Sequence, residues 1–276
     1  MSATAPLILE PMYPRKVVDE ALRLHAQGWT DRQVANAVGV SIWTVRHWRT
    51  GRRRHPTTKA GRTTYCPPCS GAEIDKEAYA YLLGLYLGDG HIVHCRKGVF
   101  LLCIFCTAVY PDLIEECRTA MGRVFPVSPG LRTKEGVGMV IVRASSKHWP
   151  CIFPQHGPGQ KHSRPIILQP WQAEIVQETP QPLIRGLFHS DGCRVANKVR
   201  RKVAGDWKHY AYPRYFFSNT SQDIHDILGS ALDLVGAEWK LNWKKPSKEG
   251  YRDPGVLSVA KRDSVALLDT FIGPKS

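Results

Sequence analysis

The hydrophobic positions change period several times along the chain, and the changes divide it. In residues 15–27, Val17, Val18, Ala21, Leu22 and Leu24 recur at helical spacing, and Gly28 ends the run. Thr30 or Asp31 can cap a second helix over 31–38, and Ser41 a third over 42–50. Gly39 between them permits the positive φ of a tight turn, and Ala35 is small where a helix must cross. Val34, Val38, Val40, Val45 and Trp48 supply a small shared core. The pattern predicts an all-α helix-turn-helix domain over residues 1–50. Ser41, Trp43, Thr44, Arg46, His47 and Thr50 face outward on its third helix. Residues 51–71 follow as a polar, basic linker containing Cys66-Pro-Pro-Cys69.

From residue 72 a pattern occurs twice. One apolar helical run ends in Gly88-Asp89-Gly90, and another in Ser190-Asp191-Gly192. Strand-like segments follow each, at 91–95 and 99–107 and at 194–202 and 208–219, then an amphipathic helix at 112–121 or 222–235. Further strands are expected at 137–144, 238–244 and 255–260, and a last helix at 263–271. Pro, Gly, His and Gln enrich residues 153–182, a connector with a short helix near 171–176. The predicted fold class is α+β. Two pseudo-symmetric αββαββα halves, 72–152 and 183–276, are joined by the connector and preceded by the small all-α domain.

The two apolar runs match position by position. Gly84 and Gly88 in the first correspond to Gly186 and Ser190 in the second. Small residues four apart share a helix face and let two backbones approach closely. Each run closes on an Asp at a helix C-terminus, which is already partly negative. Two such ends side by side compound the cost, and a cation between them offsets it. Mg2+ (or Mn2+) fits, with Asp89 and Asp191 as oxygen ligands and the Gly88 and Ser190 backbones as further candidates. Such an ion activates water and stabilises a leaving oxygen in phosphodiester hydrolysis. The plainer reading is two buried helices whose acids only cap turns.

These segments resemble the LAGLIDADG motif of homing endonucleases. Residues 82–90 keep its leucines, both glycines and the final Asp-Gly; residues 184–192 keep the central Gly-Leu and the final Asp-Gly. The resemblance spans roughly residues 72–272. It implies a monomer whose two sheets form a saddle over DNA, with the motif helices at the interface and both strands cut across the minor groove to short 3′ overhangs. It implies Asp89 and Asp191 as catalytic metal ligands. It also implies a basic residue near the last strand of each half, for which Arg143 and Lys261 are the candidates. The function implied is a site-specific double-stranded DNA endonuclease of the kind associated with intron mobility. A catalytically silent transcription regulator and an RNA maturase are the alternatives on the same fold.

Charge sharpens the choice of partner. The 276 residues hold 38 Lys and Arg against 24 Asp and Glu, a net charge of +14, while 43% apolar residues suffice for a core. Such an excess suits a polyanion, here double-stranded DNA. Residues 1–65 carry eleven of the basic residues and four of the acidic ones. Arg52, Arg53 and Arg54 would meet a DNA backbone or minor groove. Arg194, Lys198, Arg200 and Lys202 alternate along one strand, so their charges share a face suited to phosphates and guanine edges. His94 and Arg96, with Ile92, are the less basic equivalents in the first half, so the target site should be asymmetric. No obligate protein partner is expected.

The longest uncharged stretch, 98–111, falls short of the roughly 18 residues a membrane span needs. Residues 1–6 do not read as a secretion signal. A reducing, cytoplasmic setting is therefore expected, nucleoid-associated in a bacterium. There, eight cysteines read as free thiols or metal ligands. Cys66 and Cys69 could hold a structural zinc together with Cys106, Cys95 or His94; buried thiols are the other reading. The Gly- and Lys-containing loop 157–164 could wrap a phosphate or be an ordinary basic loop.

Overall fold

The computed structural model describes residues 13–50, 66–134, 136–244 and 253–276. The chain divides into two units, one ending at Tyr65 and one beginning at Cys66. Most of the expected linker, with Arg52, Arg53 and Arg54, lies outside the described residues.

The smaller unit consists of α1 (Arg15–Ala26), α2 (Asp31–Val38) and α3 (Ile42–Thr50). Val18, Ala21, Leu24, Val34, Ala35, Val45 and Trp48 form its core. Thr30, rather than Asp31, caps α2, in a reciprocal box with Gln33. Gly39 ends α2 in the left-handed region at φ 69°, and Ser41 Oγ accepts the Thr44 N–H at 3.1 Å at the start of α3.

The larger unit opens with a one-turn helix, α4 (Pro67–Ser70), then α5 (Lys76–Asp89), the first motif helix. Strands β1 (Gly90–His94) and β2 (Phe100–Thr107), helix α6 (Pro111–Val124), and strands β3 (Gly130–Lys134) and β4 (Met139–Ser146) complete the first sheet, in the order β1-β2-β4-β3. A one-turn helix, α7 (Trp149–Ile152), leads to the connector and α8 (Pro170–Glu178). The second half repeats the plan: α9 (Pro180–Asp191), β5 (Gly192–Val203), β6 (Asp206–Asn219), α10 (Gln222–Leu234), β7 (Lys240–Trp243), β8 (Gly255–Val259) and α11 (Arg262–Asp269). Its sheet order is β5-β6-β8-β7. The fold is α+β with two equivalent four-stranded antiparallel sheets. Among the described residues, no helix is long and apolar enough to cross a membrane.

Helix α5 is buried on every side from Ala78 to Leu87 because α9 lies against it and both sheets close over the pair. The small residues do what their spacing predicts. A Cβ on Gly84 would lie 2.6 Å from the Leu183 carbonyl oxygen, and one on Gly186 only 2.2 Å from that of Tyr81. The two backbones therefore touch. Two expectations change. Cys66, placed in the linker, is fully buried in this core, and so are Phe153 and Ile166 of the connector. Strand β3 is additional; its sequence Gly-Leu-Arg-Thr-Lys carries no apolar alternation because it is a sheet edge.

Each sheet turns one face to the helices. In the second sheet, Tyr215 and Phe217 are buried against Phe188 of α9, and their partners across the ladder, Arg194 and Gly192, share that face. In the first, Ile92, Leu102 and Ile104 mark the same side.

Candidate active site and nucleic-acid interface

Because α5 and α9 touch, their C-termini emerge together, carrying Asp89 and Asp191. A Cβ on Gly88 would lie 2.1 Å from Ser190 Oγ and 3.2 Å from Asp191 Oδ2, so the Asp191 carboxylate reaches across the end of the other helix. Burial, and then the neighbouring Asp191 charge, push the Asp89 carboxyl up to about 6. Burial also raises Asp191, opposed by a hydrogen bond that Asn219 Nδ2 donates to Oδ2 at 2.7 Å.

The negative helix ends are met from within the chain. Lys161 Nζ donates to the carbonyls of Tyr86 at 2.5 Å, Leu87 at 2.8 Å and Gly88 at 2.7 Å. Lys275 Nζ does the same at the second helix, to Ser190 at 3.1 Å and Gly192 at 2.6 Å. A cation at a helix C-terminus offsets both the unpaired carbonyls and the dipole. Burial brings Lys161 down to about 8, against the pull of the two carboxylates, and lowers Lys275 in the same direction. The Gly88 and Ser190 carbonyls, expected as metal ligands, thus already accept from ammonium groups.

Two hollows flank the helix ends. One, of about 490 Å³, is lined by Asp191, Lys161, Gly88, His91 and Asn219. The other, of about 50 Å³, is lined by Asp89, Lys275 and Ser190. Each therefore holds one acid and one lysine. A larger cleft of about 730 Å³ lies at the opposite end of the helix pair, around Glu77, Glu116 and Arg185, and contains neither acid.

The two basic residues chosen from the sequence lie elsewhere. Lys261 is exposed and ion-paired with Glu238. Arg143 sits on β4 opposite Cys103 and Gly130, on the open side of the first sheet. Neither acts on the two aspartates, whereas Lys161 and Lys275 act on both. Lys161 belongs to the loop expected as a phosphate wrap, which Arg164 braces by donating to the carbonyls of Gln155 and Gly159. Nothing in the sequence around Lys275 marks it.

The basic alternation on β5 is present, with a different outlook. Its face is the one shared with Tyr215, and Arg194 is held there by Asp269 at 2.7 and 2.8 Å. Beyond the reach of β8, the β5–β6 hairpin continues as a two-stranded ribbon on which Lys198, Arg200 and Lys202 are exposed. Arg200 lies 4.3 Å above the Trp207 ring. The opposite, open face carries Arg201, Lys208, Tyr210, Tyr212 and Arg214, none of which the alternation singled out. In the first half, His94 stacks on Phe100 on the helix side, and Arg96 lies in the turn after β1. Arg132 and Arg143 occupy the open face there.

On α3, Trp43 is 73% exposed and stacks on His47 with centroids 5.3 Å apart. Arg46 pairs with Asp31 at 3.1 Å, and Thr50 Oγ1 donates to the Arg46 carbonyl at 2.8 Å. Cys66 and Cys69 meet His148 and Cys151 instead of Cys106, Cys95 or His94. Cys106 lies against Cys117 in the core.

No protein-family model and no curated protein matches the chain. Solved structures do. The homing endonuclease I-DmoI in complex with DNA and Mn matches at 15% identity over 72% of this chain and 98% of its own, with a TM-score of 0.47. I-DmoI with DNA and Ca matches at 14% identity over 73% and 92%, with a TM-score of 0.45. The N-terminal LAGLIDADG domain of WhiA matches at 9% identity over 72% and 83%, with a TM-score of 0.44.

Proposed function

We propose that the larger unit is a site-specific, metal-dependent endonuclease for double-stranded DNA. The observation that carries this reading is the pair of carboxylates at touching helix ends, Asp89 and Asp191, each sharing a hollow with a lysine. The donor set fits a hard divalent cation: burial disfavours both anions, and neither makes an ion pair with a basic side chain among the described residues. Asp89 and Asp191 would hold Mg2+ or Mn2+, which when bound supplies a Lewis acid for the phosphate and a water of lowered pKa. An ammonium group has three donors, and three carbonyls accept from Lys161. Lys161 therefore acts as a fixed positive charge beside the acids and not as a proton donor. Lys275, from which two carbonyls accept, places a second positive charge in the other hollow.

DNA would lie on the open sheet faces. Arg132 and Arg143 reach it from the first half, and Arg201, Lys208 and Arg214 from the second. The halves present different side chains, so the target is asymmetric. The tri-helical unit extends the target as a helix-turn-helix, reading bases with the exposed Trp43, Arg46 and His47 of α3 and the half-buried Thr44 between them.

One observation favours the silent DNA-binding regulator: two lysines already offset the helix ends without a metal. Incubating the full chain with a randomised duplex library and Mg2+ separates the two. The endonuclease gives double-strand breaks at a recurrent sequence, and Asp191→Asn binds that sequence without cutting. Binding without breakage in Mg2+ and in Mn2+ would establish the regulator.

A further inference from the structure

We propose that Cys66, Cys69, His148 and Cys151 form a structural zinc site that clamps the segment ahead of the first motif helix to the end of the first sheet. The three Sγ atoms and one ring nitrogen of His148 all lie within 4.8 Å of one another. Cys69 Sγ is 3.5 Å from Cys151 Sγ and 3.6 Å from His148 Nδ1, and Cys151 Sγ is 3.8 Å from the same nitrogen. A tetrahedron with Zn–S of about 2.3 Å and Zn–N of about 2.0 Å has edges of roughly 3.5–3.8 Å, which these separations match. Three thiolates and one imidazole, all from the protein, make a closed set with no position left for water or substrate, as a structural site requires.

The two halves of the site are built alike. Cys66-Pro-Pro-Cys69 and His148-Trp-Pro-Cys151 each form a one-turn helix with proline at its start. In each, the last residue's N–H donates to the first residue's carbonyl, at 2.9 Å for Cys69 and 3.0 Å for Cys151. Both ligands of a turn are thereby held on one side. The second turn is fixed by fully buried Trp149, whose Nε1 donates to the Ala144 carbonyl at 2.8 Å. Cys66 is buried and Cys69 exposed, so the ion would sit at the rim of the core with a route in from solvent. The clamp anchors the chain six residues before the cap of α5, Asp75, and just after β4.

The site is independent of the nuclease chemistry, and its test needs no DNA. Full-length protein purified under reducing conditions should carry about one equivalent of zinc, as a single closed four-ligand site demands. Cobalt exchanged into it should give the absorption of a tetrahedral, thiolate-bound ion. Cys69→Ser and Cys151→Ser should each lose the zinc, His148→Cys should keep it, and Cys193→Ser, at an exposed cysteine outside the cluster, should match the wild type. The inference fails if the wild type contains no zinc and takes up no cobalt. It fails equally if zinc persists in Cys69→Ser, or if mass spectrometry of the reducing preparation shows a Cys69–Cys151 disulfide.

Discussion

Asp89→Asn gives the sharpest test of the site, because it should make the protein more stable and inactive at once. The Asp89 carboxyl, ordinarily at 3.8, is held up to about 6 by burial and by Asp191. A folded value above the unfolded one means a contribution that is complete below about pH 4 and lost as pH rises through 6. The gap between the two values corresponds to about 3 kcal/mol, an upper figure because the site relaxes and admits water. No hydrogen bond to Asp89 from the described residues would be broken by the amide. In chelator-containing buffer near pH 7.5 the variant should therefore melt higher than the wild type, by on the order of 5–10 °C for a unit of this size. The difference should close near pH 4. Adding Mg2+ should raise the wild-type Tm and leave that of the variant nearly unchanged, since one of the two carboxylates is gone. Cleavage should vanish with binding retained. A variant that melts lower than the wild type in chelator, or gains as much from Mg2+, would refute the reasoning.

Two further predictions concern the helix pair. Gly186→Ala should cost at least about 3 kcal/mol, the upper end for overpacking, because its Cβ would meet the Tyr81 carbonyl oxygen at 2.2 Å and no side chain can swing aside; wild-type stability in urea would mean the helices do not touch. His189, on α9 and buried against Tyr81 of α5, donates from Nε2 to the Ile272 carbonyl at 2.9 Å, which leaves Nδ1 to accept from the Tyr81 hydroxyl at 3.0 Å. Burial, and then Arg185, depress it to about 4. Its contribution is complete above about pH 6.5 and is lost as pH falls towards 4, by about 3 kcal/mol. His189→Gln should remove that part of the acid sensitivity, read as the difference in pH dependence between the two proteins; parallel curves would exclude it.

The helices and the paired acids were legible because their signals are local. Gly84, Gly186 and the two Asp-Gly ends are fixed within single runs, and the apolar residues around them leave the helices nowhere but the core. The features that escaped depend on distant segments or on strand parity. Lys161 lies in a single 3-10 turn of the connector and Lys275 in an irregular segment, and the positions of both follow from the fold and not from any period. His148 and Cys151, which meet Cys69, are some 80 positions from it along the chain. The alternation on β5 identified a face correctly, but which face meets the helices depends on the pairing of Arg194 with Tyr215 on β6. One residue of parity decides whether a basic side chain lies on the helix-side face, as Lys198 and Arg200 do, or on the open face, as Arg201 and Arg214 do.

The arrangement also bears on why two acids persist where a helix end disfavours them. Lys161 and Lys275 bring the local charge close to balance, two positive against two negative, so the helix pair is tolerable without an ion. Their donors, however, go to backbone carbonyls and not to the carboxylates. Asp191 accepts from Asn219 on Oδ2, and Asp89 remains raised to about 6 despite both lysines. The site is thus near neutral in charge while its carboxylates keep oxygen lone pairs open for coordination. A purely structural solution would have turned the ammonium groups onto the carboxylates and brought Asp89 back towards 3.8. That unspent capacity is what a divalent cation would take up, and it weighs towards the endonuclease over the silent regulator.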